Sequence, residues 1–378
     1  MKRILIFSTA YFPLVGGAEV AVKEITDRLP DYSFVLITAR LDSRFSAIEK
    51  MGNVEVHRYG VGDASDKVHL AWSGACYAET LGKFDAIWSI MASYAGFAAL
   101  RYKKRNPTVP YLLTLQEGDS RWQIYKHVWW CWWYFKQIFT KANRIQAISA
   151  YLASWAKSLG AKCPIDVVPN GVDVQKFIRP SSVAAVRQEI RNRVGVPDDA
   201  PMVFTASRLV KKNGVADLVE SLKFLSTNTH LVIAGEGALK ESLQAQAQKL
   251  ATADRIHFVG TISHAELPKY LWASDIFCRP SLSEGLGNSF LEAMAAGVPI
   301  VGTLVGGIKD FLLDGVTGLA CQPKDPKSIA AQIDLALADK ALYEQVQRGA
   351  AALIEKKYSW SVVVSQMKNI FDSLCASS

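Results

Sequence analysis

The order of apolar runs predicts an α/β protein of two domains, each built on a mostly parallel, doubly wound sheet. Three observations carry this. Short β-branched runs alternate with longer amphipathic ones, the signature of strand–helix units. The alternation occurs twice, on either side of a turn-rich stretch running from Pro169-Asn170-Gly171 to Pro180. The chain also has 378 residues, more than the roughly 250–300 at which a single core stops growing.

In the first series Ile4–Phe7 reads as a strand, and Ala18, Val22, Ile25 and Leu29 then share one helical face. Further strands are predicted at Phe34–Thr38, Val54–Arg58, Ala86–Met91, Tyr111–Gln116, Arg144–Ile148 and Asp166–Val168. The second series predicts strands at Met202–Ala206, His230–Ala234, Ile256–Val259, Ile276–Cys278, Pro299–Val301 and Gly318–Ala320. Helices at about 215–225, 238–250, 264–273, 287–296 and 326–337 separate them. The junction is predicted near residue 175, giving domains 1–175 and 176–359. Ligands of such sheets bind beyond the carboxyl ends of the strands, so two domains facing one another would form a cleft.

The net charge of +8 fits an enzyme of anionic substrates or a protein resting on an anionic membrane. Basic residues are scattered and no nucleic-acid motif occurs, so no nucleic-acid partner is expected. Six cysteines at 76, 131, 163, 278, 321 and 375 show no zinc or redox spacing, which points to unpaired thiols in a reducing compartment. The apolar run after Met1-Lys2-Arg3 is short and no small-residue cleavage site follows, so a first buried strand is expected rather than a leader. No apolar stretch of ~20 residues predicts a transmembrane helix. With no Asp-x-Asp triplet and no histidine cluster, no metal is expected.

Three segments carry chemistry. Gly16-Gly17-Ala18-Glu19 follows the first strand and opens a helix, where bare backbone N–H groups can meet an anion. A plain strand-to-helix turn explains it equally. Ser207-Arg208-Leu209-Val210-Lys211-Lys212-Asn213-Gly214 follows the first strand of the second series. Its Arg and Lys suit a diphosphate, although a solvated basic loop is the common fate of such clusters. In the third, Ser283-Glu284-Gly285-Leu286-Gly287-Asn288 enters a helix that carries Glu292 and ends at Gly297, with Pro299 beyond. Gly285 and Gly287 make an anion-binding helix entrance, and the carboxylates suit hydroxyl groups. Favourable acidic residues near a helix N-terminus account for Glu292 alone, but not for the paired glycines. Gly235-Glu236-Gly237 also follows a strand, but lacks the third glycine of a dinucleotide fingerprint.

Glu284 and Glu292, with seven residues between them, resemble the paired glutamates of retaining glycosyltransferases of family four. The resemblance covers nearly the whole chain, through Gly16-Gly17-Ala18-Glu19, Val168-Pro169-Asn170-Gly171-Val172-Asp173, Ser207–Val210, Ala234–Gly237, Gly302 to Ile308 and Asp314–Gly318. It implies the GT-B fold, two facing Rossmann-like domains, with a C-terminal helix at about 360–378 packing back on the first. It implies an acceptor-side first domain and a second domain that holds a nucleoside-diphosphate sugar. Arg208 and Lys212 would neutralise the diphosphate, and Glu292 would bind the ribose hydroxyls. Glu284 with Gly285, Leu286, Gly287 and Asn288 would hold sugar and phosphate. Gly16 and Gly17 would face the diphosphate, Gly235 would line the donor site, and Val259 and Ile262 would flank the base. Arg208, Lys212 and Glu284 are the residues expected to act in catalysis.

Two departures stand out from that pattern. Asn213 stands where the family usually has lysine before the glycine at 214, so Lys212 takes the phosphate role. Gln116 stands where histidine often faces the sugar, which leaves Gln116, Glu117 and Asp119 as the acceptor-side candidates. The expected activity is metal-independent hexosyl transfer to a glycan or lipid-linked hydroxyl, in polysaccharide or glycolipid assembly, with no cofactor besides the donor. A nucleotide-sugar epimerase of the same architecture and a catalytically weak binding module remain open alternatives.

One segment is unlike the rest. His127-Val128-Trp129-Trp130-Cys131-Trp132-Trp133-Tyr134-Phe135-Lys136 packs four tryptophans into five positions, with Lys141 and Arg144 following. Tryptophan favours membrane interfaces and basic residues favour anionic headgroups. The expectation is a cytoplasmic enzyme attached peripherally to the inner face of the cell membrane through Trp129, Trp130, Trp132 and Trp133. A buried aromatic helix is the alternative, but consecutive aromatics cannot all face one core.

Overall fold

The computed structural model describes residues 1–376. It contains two compact units, Met1–Gly171 joined by the segment from Trp360 onward, and Val172–Ser359.

The first unit holds an eight-stranded sheet: β1 (Lys2–Phe7), β2 (Tyr32–Ala39), β3 (Ile48–Met51), β4 (Val54–Tyr59), β5 (Ala86–Ile90), β6 (Tyr111–Leu115), β7 (Arg144–Ala147) and β8 (Ile165–Val167). Their order is β3-β4-β2-β1-β5-β6-β7-β8. Every pairing is parallel except β3 with β4. Helices α1 (Gly17–Asp27), α2 (Asp66–Thr80), α3 (Tyr94–Arg105), α4 (Arg121–Val128), α5 (Trp132–Thr140) and α6 (Ala150–Ser158) connect them. The edge strand β3 was not predicted. Its four residues, Ile48-Glu49-Lys50-Met51, alternate exposed and half-buried and form no apolar run. The strand expected over Ala86–Met91 stops at Ile90, because Met91 turns into the left-handed region at φ 67°.

The second unit holds a six-stranded sheet: β9 (Met202–Ala206), β10 (His230–Ala234), β11 (Ile256–Gly260), β12 (Ile276–Arg279), β13 (Ile300–Thr303) and β14 (Leu319–Cys321), in the order β11-β10-β9-β12-β13-β14. All its pairings are parallel. Its helices are α7 (Val174–Phe177), α8 (Val183–Val194), α9 (Val215–Ser221), α10 (Lys240–Lys249), α11 (Leu267–Ala273), α12 (Asn288–Ala295), α13 (Pro326–Ala338) and α14 (Lys340–Leu353). The helix expected over 264–273 starts only at Leu267, after a turn in which the Ser263 hydroxyl and carbonyl accept from the Glu266 N–H.

The two cores form separately. In the first, Ile4, Ile6, Phe34, Leu36 and Trp88 meet Val363, Met367, Ile370 and Phe371 of the final helix α15 (Trp360–Ala376). Phe371 lies 5.1 Å from Trp88 and 5.7 Å from Tyr32, ring centre to ring centre. In the second, Val203, Leu218, Leu231, Ile233, Ile276 and Val301 close with Ile329 and Ile333. Consecutive crossovers run one way from β1 and the other way from β5, and likewise from β9 and β12. Those reversals are the topological switch points at which open α/β sheets bind ligands.

Candidate functional site

In the second unit the switch point is bounded by the loops after β9 and β12, and these are the Arg208 and Glu284 segments. The loops are joined through the backbone. Leu282 and Ser283 donate their N–H groups to the Lys212 carbonyl at 2.6 and 3.3 Å. Gly214 has φ 68°, and a Cβ there would lie 1.9 Å from the Pro280 carbonyl oxygen, so no other residue fits without moving the loop. A third loop, after β13, closes on the same segment. The Gly307 N–H donates to the Glu284 carbonyl at 3.0 Å, and a Cβ on Gly306 would meet that oxygen at 1.9 Å.

The end of β12 supplies a residue that sequence reasoning missed. Arg279 is buried. Its Nη2 donates to Glu284 Oε2 at 2.6 Å, its Nη1 to Ser289 Oγ at 2.7 Å and its Nε to Ser281 Oγ at 3.2 Å. Its guanidinium also lies 4.8 Å over the Phe290 ring. One cation therefore fixes both the loop and the first turn of α12. Glu284 is not a free carboxylate: Oε2 is held by Arg279, and Oε1 accepts from the Gly285 N–H at 3.2 Å. Its charge is offset, which leaves it a placed hydrogen-bond acceptor. Helix α12 opens at Gly287 with φ 102° and no side-chain cap, leaving its entrance to backbone groups.

Glu292 lies further along α12, its side chain 14% exposed, with Oε1 at 3.7 Å from His264 Nδ1. Burial pushes its carboxyl up to about 7, against the opposing charges of Lys176 and Arg279. His264 was likewise missed; it follows Val259 and Ile262, the two half-buried residues singled out for the base. Arg208 is exposed directly after β9, and its guanidinium has no ion pair among the described residues. Lys212 is half-buried in the short turn Lys211–Asn213. Asn213 has a structural role, donating from Nδ2 to the Arg208 carbonyl at 2.6 Å and so closing the basic loop. Gly235 serves the same loop, since a Cβ there would sit 1.9 Å from the Ser207 carbonyl oxygen. Packing alone therefore requires a glycine here.

The raised Glu292 carboxyl gives a pH prediction. A carboxyl whose folded value lies above its unfolded value of 4.5 stabilises the fold fully below that value, and the benefit is lost as pH rises through about 7. Glu292→Gln in the ligand-free protein should therefore unfold several degrees higher than the parent at about pH 8 and alongside it at about pH 4. Parallel melting curves at both pH values would contradict this.

In the first unit, the loop after β1 is engaged by its own chain. Glu19 accepts from the Gly16 N–H, and burial raises its carboxyl. A Cβ on Gly16 would meet Glu19 Oε2 at 2.7 Å. The helix entrance expected to receive an anion through Gly16 and Gly17 thus already has a carboxylate over it. At the carboxyl ends of β5 and β6, the Ala92 N–H donates to Glu117 Oε1 at 2.6 Å. Glu117 Oε2 is buried without a hydrogen-bond partner among the described residues, and burial pushes the carboxyl up to about 7. Gln116 Oε1 accepts from Asn170 Nδ2 at 3.1 Å, while Asp119 is exposed. Met91, directly before Ala92 at the end of β5, is held at φ 67°, and strain of this kind often coincides with function.

Among the described residues, no group of three or more His, Cys, Asp or Glu side chains could hold a metal ion. No described helix is long and apolar enough to cross a membrane.

Two family models match the chain. That of Glycosyltransferase Family 4 covers residues 15–176, and that of glycosyl transferases group 1 covers residues 186–352. The chain belongs to glycosyltransferase family 4. Among curated relatives of this family-4 chain, D-inositol 3-phosphate glycosyltransferase of Xylanimonas cellulosilytica is 31% identical over 213 residues, 55% of this chain and 51% of that protein. GDP-mannose-dependent alpha-(1-6)-phosphatidylinositol monomannoside mannosyltransferase of Mycolicibacterium smegmatis is 33% identical over 215 residues, 54% of this chain and 55% of that protein. The chain spans about half the length of the curated relatives it matches. Among solved structures, HepE of Anabaena in complex with UDP and glucose superposes with a TM-score of 0.82 at 18% identity, covering 99% of this chain and all of that one. WaaG, a glycosyltransferase involved in lipopolysaccharide biosynthesis, gives 0.73 at 14% identity, over 96% and 98%. At such identities the likeness is one of fold, and the fold is GT-B.

Proposed function

We propose that this family-4 chain moves a hexosyl group from a nucleoside-diphosphate sugar to a hydroxyl of a glycan or lipid-linked acceptor, with retention at the anomeric carbon and without a metal. The observation that carries this is the joining of the Arg208, Glu284 and Gly306 loops at the second sheet's switch point, around the capless entrance of α12. In the reaction the bond from the anomeric carbon to the diphosphate oxygen breaks as the acceptor oxygen bonds to that carbon, and the proton of the acceptor hydroxyl passes to the departing diphosphate. Negative charge grows on the departing diphosphate. Arg208, Lys212 and the N–H groups at Gly285, Leu286, Gly287 and Asn288 meet that charge, and such preorganised donors supply a large share of transfer rates. Glu292 accepts from the ribose hydroxyls, and Val259 and Ile262 flank the base. Glu284, pinned by Arg279, accepts from the sugar.

Gln116, Glu117 and Asp119 are the acceptor-side groups of this reading, and Gly16 and Gly17 take part only if Glu19 gives way to the donor phosphates. One relative named above is GDP-mannose-dependent and one solved structure of the same fold holds UDP and glucose, which makes uridine and guanosine diphosphate sugars the first donors to try. A thermal-shift panel of these sugars tests the reading. A ligand at about 100 times its Kd adds about 2.7 kcal/mol to the folded state, enough to raise the midpoint by several degrees. At least one donor should do so. If none moves the midpoint at millimolar concentration, the donor-site reading fails.

A further inference from the structure

The tryptophan-rich segment folds as α4, a single 3-10 turn (Trp129–Cys131) and α5. The break splits its aromatics into two sets. Trp132 turns inward, edge-on to Tyr125 at 5.0 Å and stacked on Phe135 at 6.0 Å, and Phe135 and Phe139 continue to the buried Trp155. Trp129, Trp130 and Trp133 turn outward and are 75%, 73% and 80% exposed. They border an open groove of about 920 Å³ with Tyr125, Trp132 and Leu159. Exposed aromatic area of this size on a folded unit marks a binding surface.

The aromatic face extends beyond that segment and is ringed by cations. Lys126 lies 3.9 Å over the exposed Trp122 ring, and Lys136 lies 5.9 Å over Trp133. Lys104 of α3 lies 4.5 Å over Tyr134 of α5. Arg101, also of α3, lies 4.0 Å over Trp72 of α2, which is itself exposed. Acids are almost absent. From Ala86 to Ile165 the chain has 11 Lys and Arg against two acids, Glu117 and Asp119, whereas the whole chain has 43 against 35.

We infer that the α2–α3–α4–α5 face of the first unit docks on an anionic phospholipid bilayer, with Trp129, Trp130 and Trp133 inserted at headgroup level and Lys104, Lys126, Lys136 and Arg101 against the lipid phosphates. Indole rings favour the bilayer interface, and juxtamembrane lysines and arginines add attraction to acidic lipids. A second copy of the chain fits less well, because a two-fold contact would oppose the same cations. Single-stranded nucleic acid fits less well too, because lysine ammoniums already cover the ring faces of Trp122 and Tyr134 on which bases would stack.

The docking surface lies outside the donor loops, so the inference stands or falls separately from the transferase reading. Co-sedimentation with phosphatidylglycerol vesicles and with phosphatidylcholine vesicles tests it. The protein should partition at least tenfold more strongly to phosphatidylglycerol, and salt should weaken that binding. Trp129→Ser/Trp130→Ser/Trp133→Ser and, independently, Lys104→Glu/Lys126→Glu/Lys136→Glu should each lower it tenfold or more, with melting curves and any donor-induced thermal shift unchanged. Failure of the parent protein to sediment with phosphatidylglycerol would overturn the inference. So would undiminished sedimentation of the folded variants, or release of the protein from vesicles by an equimolar single-stranded oligonucleotide.

Discussion

Arg208→Ala is expected to lower sugar transfer about 10²–10³-fold, the usual consequence of removing one preorganised donor to a developing anion. The protein should melt at the parent's temperature, because the Arg208 side chain is exposed and has no ion pair among the described residues. Arg208→Lys should recover only part of the loss. Lysine restores the charge but not the fork that meets two phosphate oxygens together. The measurement is steady-state transfer with the donor found by thermal shift, alongside a melting curve. Transfer within threefold of the parent would remove Arg208 from the diphosphate site.

Arg279→Ala should do the opposite to stability. Its guanidinium holds Glu284, Ser281 and Ser289 together in a buried setting, and its loss leaves the Glu284 carboxylate without a counter-charge. Breaking a buried pair from one side costs about 3–5 kcal/mol. Because Glu284 is 17% exposed, the lower end applies, and the midpoint should fall by roughly 10 °C. Activity should fall with it even at low temperature, since the α12 entrance loses its support. Adding Glu284→Gln to Arg279→Ala removes the uncompensated charge and should restore about half of the lost stability, a coupling that a double-mutant cycle reads directly. Additive losses would mean that the two residues act independently.

These two arginines also show what was legible in the sequence. Arg208 could be singled out as a candidate because it closely follows an apolar strand, and a strand end at a switch point is where chemistry gathers. The order of strands, the paired glutamates and the glycines at 285 and 287 were visible for the same reason: period and spacing are local properties. Arg279 gave no such signal. It ends the strand Ile276-Phe277-Cys278-Arg279, and a cation after an apolar run usually reads as the first solvated residue. Only the three partners that converge on it from two, five and ten residues away reveal otherwise. Gly235 has a packing reason that the sequence does not display. A bare backbone that faces a ligand and one that faces another loop look identical in sequence, and the deciding carbonyl belongs to Ser207, 28 residues earlier. Strand β3 was invisible because it is an antiparallel edge of four residues with two charges. Within the tryptophan segment, exposure of some rings followed from helical geometry, but the inward turn of Trp132 depends on the 3-10 break, which no propensity predicts.

The return of α15 to the first unit has a consequence for how the protein is made. Val363, Met367, Ile370 and Phe371 complete a core whose other members begin at Ile4, so the first half of the chain leaves the ribosome without its closing helix. The second unit has both its ends together, with the Val172 N–H donating to the Tyr358 carbonyl at 2.7 Å. It can therefore finish folding while the unit that began earlier still waits, with apolar strand surface open to chaperones. Birth order and completion order are reversed. The same paired ends make residues 172–359 a single continuous cassette, which could be exchanged between related chains at one seam without disturbing the core of the first unit.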